Sequence, residues 1–198
     1  SEARKHGIAG VLGVSPYYSR PSQIGIEEHF RAIASSTDLP VVVYDIPKRT
    51  GRKMSTPTLI RLANDVTNIV ALKDAAGDPS ETAKVISASP NDFQVYSGDS
   101  PMNLPLLAVG AVGAIGVCTH WAAPEHLAMF NAWNRNDITT PRGTQDKQPL
   151  ALTWCELPWA PADYKTRHNN IEQSVLHESS SEPHLQSVTR NCYNEYNK

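Results

Sequence analysis

The sequence predicts an α/β fold of parallel strands, closer to a (β/α)8 (TIM) barrel than to an open doubly wound sheet. Three observations lead there. From residue 7 to about residue 136 one pattern recurs about five times: a short apolar run, a turn, then an amphipathic stretch. Alternation of this kind means parallel strands with helices outside. An open sheet usually carries a glycine-rich phosphate turn after its first strand, and neither GxGxxG nor GxxxxGK[ST] occurs. The predicted strand ends carry isolated polar groups instead: Tyr17 and Tyr18, Tyr44, Lys73, Gly98 with Asp99, and Thr119. In a barrel such ends converge on one mouth.

Each element has its own signal. IAGVLGV (8–14) is the first strand, and IGIEEHFRAIASS supplies a helix. PVVVYDI (40–46) is the second strand. STPTLIRLAND then starts a helix, with Ser55 or Thr56 as N-cap and Pro57 in the first turn. NIVALK (68–73) is the third strand. DPSETAKVISAS opens with Asp78 as cap, Pro79 at the first turn and Glu81 three residues on, a capping-box arrangement. FQVYSG (93–98) is the fourth strand. SPMNLPLLAVG predicts a short helix capped by Ser100 and bent at Pro105. AVGAIGV (111–117) is the last strand, and APEHLAMFNAWNRN the last clear helix.

Two domains follow: residues 1–137 as a partial barrel and 138–198 as an atypical polar tail. The tail is rich in Thr, Gln, Asn, His and Ser, with no sustained period. That composition suits a disordered segment, or a reading frame lost near Asp137. Trp154, Leu157 and Trp159 could form a small apolar patch within it. The opening SEARKHGIAG has no initiator Met and no signal-peptide core. It reads as the end of a helix entering a strand, so the start of a larger domain is expected to be missing.

Composition narrows the function. The 198 residues carry a formal net charge of -2, which makes no electrostatic case for nucleic acid or an anionic membrane. No apolar run is long enough to span a bilayer. The 3 Cys, at 118, 155 and 192, are odd in number and widely spaced, which fits a reducing cytosol better than a disulfide framework. The 7 His are scattered, and His120 and His126 lie too far apart for a one-turn ligand pair. No metal site is expected.

Lys73 is the residue to explain, because an apolar β run ends on its ammonium group. A strand-end lysine ordinarily snorkels to water. The sharper alternative is a catalytic amine, its pKa lowered by apolar flanks so that its lone pair attacks a carbonyl carbon.

The remaining strand ends decide between them. GVSPYYSRPSQ, YDIPKRTG, ALKDA, YSGDS and GAIGV, in that order, resemble the pyruvate-dependent class I aldolase family of dihydrodipicolinate synthase and N-acetylneuraminate lyase. The paired tyrosines with the Pro-x-Gln tail, and the arginine two residues after the proline of YDIPKR, resemble its dihydrodipicolinate synthase branch. The likeness runs from about Gly7 to Asn136 and implies roughly strands 4 to 8 of the barrel. Nothing matches the family's early Gly-Thr-Thr-Gly-Glu turn.

By this resemblance Lys73 is the Schiff-base lysine and Tyr44 the proton-shuttling tyrosine near the imine. Tyr18 is lent across a dimer interface, with Tyr17 as its companion. Arg49 engages a substrate carboxylate, and the backbones at Gly98 and Ile115 lie against the pyruvyl group. Asp45 and Asp74 look like a carboxylate pair but are not expected to act as acid and base. The implied reaction condenses pyruvate with aspartate semialdehyde to 4-hydroxy-tetrahydrodipicolinate, in the diaminopimelate route to lysine. It needs no metal or organic cofactor, runs in the cytoplasm and belongs to homotetramers built from tight dimers. The alternatives are a sister 2-oxo-acid aldolase acting on a sialic acid, and a non-catalytic fragment of the family.

Overall fold

The computed structural model describes residues 6–137 and residue 139. Five strands form one sheet: β1 (Val11–Val14), β2 (Val41–Asp45), β3 (Ile69–Asp74), β4 (Gln94–Ser97) and β5 (Gly113–Ala114). Every pairing is parallel and the strand order is β1-β2-β3-β4-β5. That order is informative. A doubly wound sheet reverses direction at a switch point and carries helices on both faces. Here each right-handed crossover steps the same way, so the helices gather on one face, as in a barrel wall.

The helices are α1 (Gln23–Ser35), α2 (Pro47–Thr50), α3 (Thr56–Asp65), α4 (Pro79–Ala88), α5 (Asn103–Ala108) and α6 (Thr119–Asn134), with a 3-10 turn at Ser100–Met102 before α5. In α1 the buried side chains are Ile26, Phe30 and Ala34, four residues apart and therefore on one stripe. They pack with Leu59 and Leu62 of α3, Val85 of α4 and Leu106 of α5 onto Val41, Val43, Leu72 and Val95 of the sheet. Strand alternation sends the intervening residues to the opposite face. There Val42, Ala71 and Tyr96 form a second apolar cluster with Leu12, Val70, Val112 and Ile115.

Local chemistry explains where the elements start and stop. Of the two possible caps for α3, Ser55 takes the role, its hydroxyl accepting from the Thr58 N–H. Asp78 caps α4 as expected, but the box closes on one side only. The Asp78 carboxylate accepts from the Glu81 N–H, while the Glu81 carboxylate turns to the Thr56 hydroxyl and to Lys84. Ser100 does not cap a helix. It lies inside the 3-10 turn, whose N-cap is Asp99. Pro105 falls in the first turn of α5, where its missing N–H would have had no partner within the helix. β5 is shorter than the apolar run suggested, since glycines at 110, 113 and 116 supply no side chains to pack. α6 starts four residues early at Thr119 and carries non-helical angles at Ala122, two residues before Pro124. The polar tail, with Cys155, Cys192 and the Trp154–Trp159 patch, lies outside the described residues, so the expected boundary at 137 does too.

Candidate functional site

The ends of β2 and β3 put Tyr44 and Lys73 side by side. Both are penultimate in their strands, they are register partners, and Lys73 in turn pairs with Tyr96. Parallel register keeps these three residues on one face, the face away from the helices. The Lys73 Nζ stands 4.0 Å from the centroid of the Tyr44 ring. A cation over a tyrosine face gains on the order of 1 kcal/mol when partly desolvated. Both side chains are half-buried. The amine of Lys73 is thus held over a phenol and does not stretch out into bulk water.

Gly98 follows β4 directly and packs against the lysine stem. A Cβ built there would lie 3.0 Å from Lys73 Cγ, 3.1 Å from Ala75 Cβ and 3.2 Å from the Asp74 carbonyl oxygen. The Gly98 N–H donates to that carbonyl at 2.7 Å. Any side chain here would press on the lysine stem and its neighbours, and glycine avoids that. Ile115 stands next to this point, its N–H bonded to the Ser97 carbonyl at 2.8 Å.

Burial raises the Tyr44 hydroxyl above the ordinary tyrosine range. The Arg49 guanidinium opposes that shift and the Asp99 carboxylate adds to it. Arg49 and Asp99 therefore flank the phenol electrostatically. Arg49 itself is exposed, on the short helix α2, which pattern reading did not anticipate. Asp99 also pairs with Lys48, Nζ to Oδ2 3.4 Å.

The structure does not bring the tyrosine pair into this site. Tyr17 is 70% exposed and Tyr18 94% exposed, on the loop after β1. Two further residues escaped sequence reading. Tyr96, buried beside Lys73, donates its hydroxyl to Gln94 Oε1 at 2.5 Å. Its signal was available, because alternation against the core residue Val95 assigns it to the lysine's face. Gln23 had no such signal, since its partners lie about 30 residues away.

Asp45 and Asp74 are on the other face. Both are buried among the helices. Asp45 accepts the Met54 N–H with both oxygens, at 3.2 and 3.3 Å. Asp74 accepts the Ala76 N–H at 2.8 Å and the Thr82 hydroxyl at 2.5 Å. The sheet separates them from the amine, so they serve the loops and not the mouth. Among the described residues no group of three or more His, Cys, Asp or Glu side chains is placed to hold a metal ion. No described helix is long and apolar enough to cross a membrane.

Comparison with known proteins gives a consistent result. The model of the dihydrodipicolinate synthetase family matches residues 1–152. The chain is 46% identical over 137 residues to the 4-hydroxy-tetrahydrodipicolinate synthase of Moorella thermoacetica, covering 69% of this chain and 47% of that protein. Against the Bacillus subtilis enzyme of the same name it is 45% identical over 129 residues, covering 65% and 44%. The crystal structure of dihydrodipicolinate synthase from Bacillus anthracis superposes with a TM-score of 0.79 at 31% identity, covering 98% of this chain and 67% of that one. The Aquifex aeolicus synthase gives 0.77 at 28% identity, covering 98% and 68%. These neighbours are (β/α)8 barrels, and the one-way sheet is part of such a barrel. The chain spans about half the length of the curated relatives it matches.

Proposed function

The chain belongs to the dihydrodipicolinate synthetase family, and from that premise we propose that it carries the lysine half of a 4-hydroxy-tetrahydrodipicolinate synthase site. Lys73 is the nucleophile. Its neutral amine adds to the ketone carbon of pyruvate to give a carbinolamine, and loss of water leaves an iminium. The iminium draws electrons from the adjacent methyl group, which gives up a proton and becomes an enamine. The enamine carbon bonds to the aldehyde carbon of aspartate semialdehyde. The semialdehyde's amine then displaces Lys73 by transimination, closing the ring and freeing the lysine.

Tyr44 is the proton carrier for the dehydration and deprotonation steps. Its raised hydroxyl stays protonated at neutral pH, so it donates before it accepts. Arg49 offers a guanidinium fork to a substrate carboxylate. Gly98 and Ile115 supply backbone next to the pyruvyl group. The exposure of Tyr18 supports its role in a neighbouring copy's site, with Tyr17 as its companion, and hence a homo-oligomer. The threonine turn that the family uses to bind the pyruvate carboxylate has no counterpart in this sequence. The odd number and wide spacing of the 3 Cys suit a reducing cytoplasm.

One observation carries the proposal: the Lys73 amine is held against the Tyr44 ring at the strand ends, and Gly98 makes way for its stem. Incubation with pyruvate and borohydride, followed by peptide mass spectrometry, tests it. The reduced adduct is expected on Lys73, and an unlabelled Lys73 overturns the assignment. Turnover on a panel of aldehydes separates the synthase from its sister aldolases.

A further inference from the structure

We propose that Gln23 is a positioning residue: its side-chain amide locks the start of α1, directly behind the loop carrying Tyr17 and Tyr18, to the loop that follows α2 and its Arg49. Gln23 is the first residue of α1, directly after Ser22, whose hydroxyl accepts from the Gly25 N–H at 3.2 Å. Its Nε2 donates to the Lys53 carbonyl at 2.9 Å, and its Oε1 accepts from the Ser55 N–H at 2.8 Å. One planar group thus takes both backbone groups that flank Met54, as the peptide of a neighbouring strand would. The Met54 N–H goes to Asp45. Residues 53–55 are therefore stitched to the tyrosine loop by Gln23 and to β2 by Asp45. The two loops also meet at a second point. Arg20, at φ 43°, packs its guanidinium on Gly51, the left-handed cap of α2 at φ 70°. A Cβ at Gly51 would lie 2.7 Å from Arg20 Nε.

An amide suits these partners because it presents a donor and an acceptor side by side in one plane at any ordinary pH. A glutamate of the same size cannot donate to the Lys53 carbonyl when ionised, and it sets a negative charge against that oxygen. The clasp thus fixes how the exposed loop of Tyr17 and Tyr18 sits against the segment that follows α2 and Arg49.

Amide exchange read by mass spectrometry on the full chain tests the clasp without any substrate. In Gln23→Glu, exchange should rise together in residues 14–22 and 46–55 by about tenfold, the loss of one hydrogen bond's worth of protection. α4 should be unchanged. Acceleration in only one loop, or in neither, overturns the proposal. If Gln23→Glu also loosens α4, Gln23→Met, which keeps the length and adds no charge, decides by the same pattern.

A second measurement rests on the Schiff-base reading. Gln23→Met should leave the rate of pyruvate trapping at Lys73 within about twofold, while the KM for aspartate semialdehyde rises about tenfold. Slowed trapping with an unchanged KM would overturn the positioning role. An unsubstituted chain that shows no adduct at Lys73 counts against the proposed reaction, and loop exchange alone then decides the clasp.

Discussion

Tyr44 and Asp45 are chain neighbours, as are Lys73 and Asp74, yet each pair is divided between two environments. On the helix-free face Tyr44 and Lys73 touch each other. On the helix face Asp45 and Asp74 are buried and hydrogen-bonded to the segments that follow the same two strands, Asp74 also to Thr82 of α4. A side-chain period of two makes this possible: one residue can present chemistry at the mouth while the next pins the loop behind it. The polar groups of one face are engaged in holding backbone. Those of the other stand together at the ends of β2 and β3.

The comparison breaks most sharply at Lys73. Lys73→Arg keeps a cation over Tyr44 but removes a nucleophile that can deprotonate. The pyruvate adduct should vanish and turnover should fall by about 10⁴-fold or more, measured by borohydride trapping and steady-state rates. A comparable loss from Asp74→Asn would show that the two faces do not divide the work as described. Asp74→Ala should act on stability instead. It strips the acceptor from the Ala76 N–H and from the Thr82 hydroxyl, which keeps a bond to the Asp78 carbonyl. The expected loss is about 2 kcal/mol in denaturant unfolding.

Asp45 gives the helix face a pH signature of its own. Burial, with Asp74 close by, pushes its carboxyl up to about 7 although the Met54 N–H and Lys53 pull it down. The folded chain then holds this proton to higher pH than the unfolded chain, whose ordinary value is 3.8. Stability should therefore fall as pH rises from about 4 to about 7 and level off above, by on the order of a few kcal/mol. Asp45→Asn keeps an acceptor for the Met54 N–H and removes the titration. Unfolding curves of the variant should lose this component of the pH slope and gain most at pH 8.

How much of this the sequence discloses depends on the range of the interactions. Lys73, Tyr44 and Gly98 were legible because strand ends and a resemblance in order both pointed to them. The caps at Ser55 and Asp78 were legible because capping is local. The helix α2 was not, being one turn set by Pro47 and closed by Gly51. Ser100 was misassigned because a Ser-Pro step suits an N-cap and a 3-10 turn equally. The clasp by Gln23 and the opposite facing of Asp45 depend on contacts that no local window contains. The doubly wound alternative was removed by strand order alone, which is a property of the assembled sheet.

Arg49→Lys tests the mouth more gently. The charge stays, the bidentate fork goes, and turnover should drop about tenfold with the adduct at Lys73 still forming. Unchanged kinetics would refute the fork.

The smallest effect belongs to the outer helices, and it marks the far end of the comparison. Glu27 of α1 accepts from Arg61 of α3 at 2.7 Å and from Arg31 at 2.8 Å, and Arg31 also reaches Asp65 at 2.9 Å. The two arginines hold the Glu27 carboxyl below its usual range, Arg61 first. Both guanidinium groups are more than a third exposed, so water and salt screen the network. A depressed carboxyl contributes stability above its ordinary value, and that contribution is lost as pH falls through the folded value. This is the reverse of Asp45. Glu27→Gln should thus cost about 0.5 kcal/mol at pH 7 in low salt. The loss should shrink at 1 M salt and disappear in acid, while the pH slope from Asp45 persists. A Glu27→Gln loss as large as that of Asp74→Ala would mean that exposed charge pairs, and not buried loop pins, set the stability of the helix face.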